Sequence, residues 1–251
     1  MTITDVPLWV NASFGILFFI VNPLLFGHFF SRDMQAIDNA LGLKIRNRII
    51  FFVSMFLVAV AILSAKGAYS ANVLPPRILL LGALPLAILW IGLSQTKLGK
   101  QVYASVTLES LISIHLFRFV GAYFFLAFAY GALPQQFAFI GGGGDILTAL
   151  LIFPVLYALK KKWKYALAAV FVWNVIGLLD ILSVLANAIY FTRIAMDGNG
   201  EGVIQFASFP FSWIPAFAPA SIIFLHVLIF RKLIEMRKAD KSLKSEQSDV
   251  S

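Results

Sequence analysis

Leu111-Ile-Ser-Ile-His115-Leu-Phe-Arg118-Phe-Val-Gly121-Ala-Tyr-Phe-Phe-Leu-Ala-Phe-Ala-Tyr130 is a run of twenty residues whose only fixed charge is Arg118. A run of this length and apolarity is a membrane span by composition, and a span in lipid has to satisfy its backbone groups internally, which makes it a helix. An arginine at bilayer depth costs at least ~2.5 kcal/mol on insertion scales, so it is expected to face a partner or a water-filled cavity. Two further apolar runs each carry one acid, Asp145 and Asp180.

The rest of the chain repeats the pattern. Of 251 residues, 60% are hydrophobic and only 13% charged, against about 25% charged in soluble domains. The mean hydropathy is +0.88. The apolar residues lie in uninterrupted runs and do not alternate with polar ones, which argues against barrel strands. Seven spans are expected, at 8–30, 49–66, 77–95, 106–131, 137–159, 165–191 and 212–231. The expected fold is all-α: residues 1–237 as a single transmembrane bundle, with 238–251 as a disordered cytoplasmic tail.

Charge orients the bundle. Arg32, Lys44, Arg46, Arg48, Lys97, Lys100, Lys160, Lys161, Lys162, Lys164, Arg231, Lys232, Arg237, Lys238, Lys241 and Lys244 fall on one side of the expected spans. Lys66, Arg77 and Arg193 fall on the other. The positive-inside bias then places the N-terminus outside and the C-terminus in the cytoplasm. The net charge of +8 flanks the spans, so it points to anionic lipid rather than nucleic acid. Segment 33–46 reads as a short helix on the inner surface, with Met34, Ile37, Leu41 and Ile45 as its apolar stripe. Trp9 and Trp163 sit where an aromatic belt would put them, and Phe206, Phe209, Phe211 and Trp213 mark the outer start of span 7. The N-terminus carries Asp5 where a signal peptide would be basic. With no cysteine, disulfides, thiolate metal sites and cysteine nucleophiles are excluded.

The polar residues inside the spans form a candidate centre. On an α-helix His115 and Arg118 lie about 60° apart, on one face, and Gly121 continues that face. Span 6 aligns Asn174, Gly177, Asp180 and Asn187 as a stripe for the bundle interior. Span 5 presents Gly141 to Gly144, then Asp145 and Thr148. The central expectation is an ion pair or triad of Arg118 with Asp180, Asp145 or both, serving either a substrate, ion or proton site or a structural clamp. Two acids against one arginine favour one of them staying protonated. The four glycines read as a helix-packing face, or alternatively as a break that leaves a half-helix starting near Asp145. His115 and His226, at similar depth on different spans, are candidate axial ligands of a haem. Asp197, Asn199 and Glu201 have the spacing of the first ligands of a calcium loop, but Ser208 stands where its bidentate Glu should be.

Several classes drop out. Span 7 has no lysine before its basic end, which removes a retinal Schiff base. There is no Walker loop, Gly-x-Ser-x-Gly or His-Glu-x-x-His, so the sequence leans away from an enzyme. The Gly-x-Gly-Asp ending at Asp145 looks like an intramembrane aspartyl protease fragment. That family carries a Tyr-Asp motif upstream of it, whereas Asp180 lies downstream after Leu-Leu.

Arg118-x-x-Gly121, Leu133-Pro134, Gly-Gly-Asp145, Asn174-x-x-Gly177-Leu-Leu-Asp180, Ile214-Pro215-x-Phe217 and His226 together resemble a loose set of small bacterial multi-pass membrane proteins of unassigned function. The resemblance covers roughly the C-terminal half. It implies residence in the bacterial cytoplasmic membrane, no mechanism, and Arg118, Asp145, Asn174, Asp180 and His226 as one constellation. The expected function is a small transporter, channel or proton-coupled carrier. The alternatives are a haem redox protein and a non-catalytic assembly or sensing component acting through its basic face.

Overall fold

Asp38 makes the first break in the helices. The computed structural model describes residues 6–249, and the side chains of 240, 241 and 243–249 are not described; Asp5 lies outside the described residues. Helix α1 runs Leu8–Ile37 and α2 Asn39–Ala65, with extended Asp38 between them; its carboxylate accepts the Leu41 amide at 3.0 Å as the N-cap of α2. Segment 33–46 is therefore no separate surface helix. It is divided between the ends of two long helices that pack along their length.

The third long element begins with a wide π-helical turn, Leu79–Ala83, and continues as α3, Leu84–Gln95. Pro85 has no N–H to give the Leu81 carbonyl, which disfavours regular α-helical bonding there. At Thr96 the chain bends by 84° into α4, Lys97–Ser105. Thr96 caps α4 by accepting the Gly99 amide at 3.0 Å, and Gly99 lies against the Leu93 carbonyl, where a Cβ would collide. The connection expected before span 4 is thus a short helix lying across the bundle. The fourth long element joins α5 (Leu108–Ile114), a 3₁₀ segment (His115–Gly121) and α6 (Ala122–Ala129). Then come α7 (Gln135–Lys160), α8 (Ala166–Met196), a 3₁₀ turn (Ile204–Ala207) and α9 (Trp213–Asp249). Helix α9 continues to Asp249 where a disordered tail was expected from 238, because Ala, Lys, Leu, Glu and Gln there are good helix formers.

The described residues contain helices and no strand. Six helical segments are long and apolar enough to cross a membrane, or seven if the bent pair Leu79–Gln95 and Lys97–Ser105 counts as one span. Burial ranks them. In their most apolar windows 72% of α9 and 56% of Leu108–Ala129 are buried, against 22% of α2 and 28% of α8. Helix α9 and the Arg118 segment are therefore the inner elements, and the others pack around them. These outer helices expose Leu17, Ile20 and Leu24 on α1, Ile88 and Ile91 on α3, Phe153 and Tyr157 on α7, and Val172 and Leu179 on α8. Outward apolar faces of this extent suit hydrocarbon and not water.

Aromatic contacts fill the interior. Phe14 meets Phe211 at 4.7 Å, Phe26 meets Phe217 edge-on at 5.2 Å, and Trp90 stacks on Phe224 at 5.5 Å. Phe206, Phe211 and Trp213 belong to this core and not to an interfacial belt, since all three are buried and Trp213 Nε1 donates to Leu57 O at 2.7 Å. Trp9 and Trp163 are exposed.

Candidate functional site: a buried arginine between two carboxylates

The middle of the fourth long element is 3₁₀ and not α. With three residues per turn, side chains at i and i+3 eclipse. His115, Arg118 and Gly121 therefore stand in one row, closer in register than α-helical spacing would place them. Gly121 lets that row lie directly on α7. A Cβ there would meet Asp145 Cβ at 2.6 Å and Gly142 O at 3.1 Å, and one on Gly142 would meet Gly121 O at 2.7 Å.

The close approach brings Asp145 to Arg118, whose Nε donates to Asp145 Oδ1 at 2.7 Å. A second guanidinium nitrogen forms an ion pair with Asp180 on α8. The third donates to the Gly177 carbonyl at 3.2 Å and faces His226 Nε2 at 3.4 Å. Arg118 is fully buried, while the Asp180 side chain keeps 10% of its surface exposed. The Asp145 side chain keeps 7%, so both carboxylates are almost as enclosed as the arginine between them.

His226 on α9 is fixed by Asn174 on α8. Asn174 Nδ2 donates to the His226 carbonyl at 3.1 Å, and its Oδ1 lies 2.7 Å from His226 Nδ1. An amide oxygen only accepts, so His226 carries its proton on Nδ1 and turns Nε2 toward Arg118 as an acceptor. Gly177 makes room for this ring, since a Cβ would meet its Cε1 at 2.6 Å. His115 lies on the far side, its ring centroid 4.3 Å from that of His226 and 5.2 Å from that of Trp173. Both His115 ring nitrogens are buried without a hydrogen-bond partner, as is Thr148 Oγ1. Unpaired polar groups at such depth are costly and call for a function or a hidden partner.

The structure thus brings together Arg118, Asp145, Asp180, Asn174, His115 and His226. Asn187 stays apart, with its amide donating to Ser183 O at 2.8 Å on its own helix. Trp173, which donates to Thr148 O at 3.0 Å and walls His115, carried no signal in the sequence beyond apolarity. The glycine run packs and does not break the helix, because α7 is continuous from Gln135 to Lys160. Gly141 lies on Phe124, Gly142 on Gly121 and Gly144 on Asp180, while Gly143 faces open space.

The haem reading does not fit. Axial histidines sit on opposite faces of a macrocycle, whereas these two rings are in mutual contact with no gap between them. The calcium reading does not fit either. Asp197 ends α8 and pairs with Arg193 at 3.4 Å, and Gly198 adopts a left-handed φ of 69°. The Asn199 amide returns to Ile194 O at 3.0 Å and the Gly198 amide to Ala195 O at 3.3 Å, which is a Schellman stop. Among the described residues no group of three or more His, Asp or Glu is placed to hold a metal ion.

A bundle of long apolar helices around a buried ionic centre defines the class: an all-helical protein of membrane type. Residues 75–234 match the family model described as a domain of unknown function (DUF8737). That segment is more than half of the chain and contains the whole Arg118 centre, and the protein belongs to this family. No curated protein and no solved structure matches the chain.

Proposed function

We propose that the protein is a seven-span bundle of the bacterial cytoplasmic membrane, N-terminus outside and basic end in the cytoplasm. In this reading the Arg118 centre is the coupling site of a small transporter, channel or proton-coupled carrier. One observation carries it: one arginine faces two carboxyl groups in a buried site. One positive charge against two acids balances only when a proton or a cation is added, and an unbalanced centre inside a membrane is a natural place for a mobile charge. His115, buried and unpartnered beside His226, is the group with spare capacity to accept or relay a proton.

The test is proton flux into vesicles loaded with a pH-sensitive dye, under an imposed potential. The parent protein is expected to carry flux, and Asp180→Asn to abolish it while eluting and melting like the parent. Flux that survives Asp180→Asn overturns the reading. Absence of flux in the parent, with Arg118→Ala losing its fold, identifies the cluster as a clamp between helices. Orientation is read separately. The chain has no cysteine, so Lys162→Cys and Asn199→Cys are clean single labels. A membrane-impermeant thiol reagent should reach the second and not the first in intact cells.

A further inference from the structure

At the basic end of the bundle, away from the Arg118 centre, a cavity of about 470 Å³ opens between α2, α3, α4 and α9. Its wall is formed by Phe52, Trp90, Leu98, Val102, Phe224 and Leu228, among others. The hydroxyl and indole groups of the wall are already used. Ser94 Oγ donates to Ile91 O at 2.7 Å, Thr96 Oγ1 to Leu93 O at 2.7 Å, and Trp90 Nε1 to Ser221 Oγ at 3.1 Å. The interior therefore offers nothing to a polar ligand and contact to a hydrocarbon one.

The lining also includes two groups of different character, Arg48 and Tyr103. Arg48 is exposed and has no ion-pair or hydrogen-bond partner among the described residues. Tyr103 lies under two cations, with the Arg231 guanidinium carbon 4.5 Å and Lys232 Nζ 4.7 Å from its ring centroid. Two acids are near, Glu235, which accepts the Tyr103 hydroxyl at 2.8 Å, and Asp33, which acts on Lys232 from α1 and is already engaged by Thr107 and Ser110, against the three cations Arg48, Arg231 and Lys232. The surplus at this end of the cavity is positive.

We infer that this cavity is a binding site for one anionic phospholipid, with an acyl chain inside against Trp90 and Phe224 and the phosphate at Arg48. The volume falls in the range of small-ligand pockets. An apolar slot bordered by cations is the chemistry that selects an anionic amphiphile over a zwitterionic one. The amphipathic α4 forms one wall, so the sharp bend at Thr96 has a purpose: it turns a helix across the bundle end and leaves the slot beneath it. The inference rests on membrane residence and is independent of the coupling role given to Arg118.

The test is native mass spectrometry of the full chain released from nanodiscs of mixed phosphatidylglycerol and phosphatidylcholine. The parent is expected to retain one phosphatidylglycerol in preference to phosphatidylcholine. Val102→Trp, which fills the slot, should lose the retained lipid. Arg48→Gln should keep a lipid but lower the preference for phosphatidylglycerol by about fivefold, the effect of one surface cation near an anionic headgroup. Leu98→Trp serves in place of Val102→Trp if that variant does not fold, and Phe171→Trp on the exposed face of α8 is the control. Equal retention of the two lipids by the parent, or undiminished retention in both slot-filling variants, overturns the inference.

Discussion

Replacing Gly142 or Gly143 by alanine is one chemical change at adjacent positions of one helix, and the structure predicts opposite outcomes. Both substitutions gain up to about 1 kcal/mol of helix propensity. At Gly143 nothing lies within 4 Å of the added Cβ, so the gain stands. At Gly142 the Cβ would lie 2.7 Å from the Gly121 carbonyl oxygen and 3.0 Å from Phe124 Cβ. A backbone carbonyl cannot rotate away, so the helices have to separate, and overpacking of this kind costs about 1–3 kcal/mol. Separation also lengthens the 2.7 Å contact of Arg118 with Asp145, because each lies one turn from the glycine pair. The two variants should therefore differ by about 2 kcal/mol, or roughly 4–8 °C in melting temperature for a chain of this length. The assay is thermal unfolding in detergent followed by tryptophan fluorescence. Equal melting temperatures for Gly142→Ala and Gly143→Ala would refute the close helix contact and, with it, the argument for how Asp145 reaches Arg118.

Three further outcomes follow from individual contacts. Asn174→Leu leaves the His226 Nδ1 proton without its acceptor at 2.7 Å and should cost about 1–3 kcal/mol, read by the same melt; no loss would remove Asn174 as the group that orients His226. Asp33 accepts the Thr107 amide at 2.9 Å, its hydroxyl at 3.0 Å and the Ser110 hydroxyl at 2.5 Å, so Asp33→Ala should cost about 2 kcal/mol and speed hydrogen exchange in the first turn of α5, and unchanged exchange there would argue that α5 needs no tie to α1. Tyr69, in the connection after α2, is pushed up to about 12 by burial, and its hydroxyl has no partner. The unfolded phenol ionises near pH ~10, so this contribution to stability is complete below that pH and lost as pH rises toward the folded value. Tyr69→Phe should abolish that alkaline loss and stabilise by about 1 kcal/mol at neutral pH, and a phenolate absorbance titration unchanged by the substitution would count against it.

The polar centre was legible to the extent that burial cost makes it so. Arg118, Asp145 and Asp180 each stand alone in an apolar run, and the pairing followed from the absence of any cheaper partner. Asn174 and His226 could be placed in the constellation but not in contact, because helical phase fixes a face and not a neighbour. The 3₁₀ segment left no mark in His115-Leu-Phe-Arg118-Phe-Val-Gly121. It tightens where the backbone lies on α7, and that contact exists only once both helices are in place. The bend at Thr96 was missed for a similar reason. Thr96 and Gly99 are ordinary cap and turn residues, and they stop a helix only because α4 then finds Tyr103 partners on α9.

By itself the sequence determined that the chain is helical, with several runs long and apolar enough to cross a membrane, and that its charged interior residues must meet. Run length, charge placement and desolvation cost are properties of the residues themselves, independent of what packs beside them. Only the tertiary structure decided that the two histidines touch and leave no room for a haem, that the glycines pack and do not break α7, and that a slot lies beneath α4. Each of these is a distance between segments far apart in the chain, set by how whole helices fit against one another and by no local preference of the residues that line the contact.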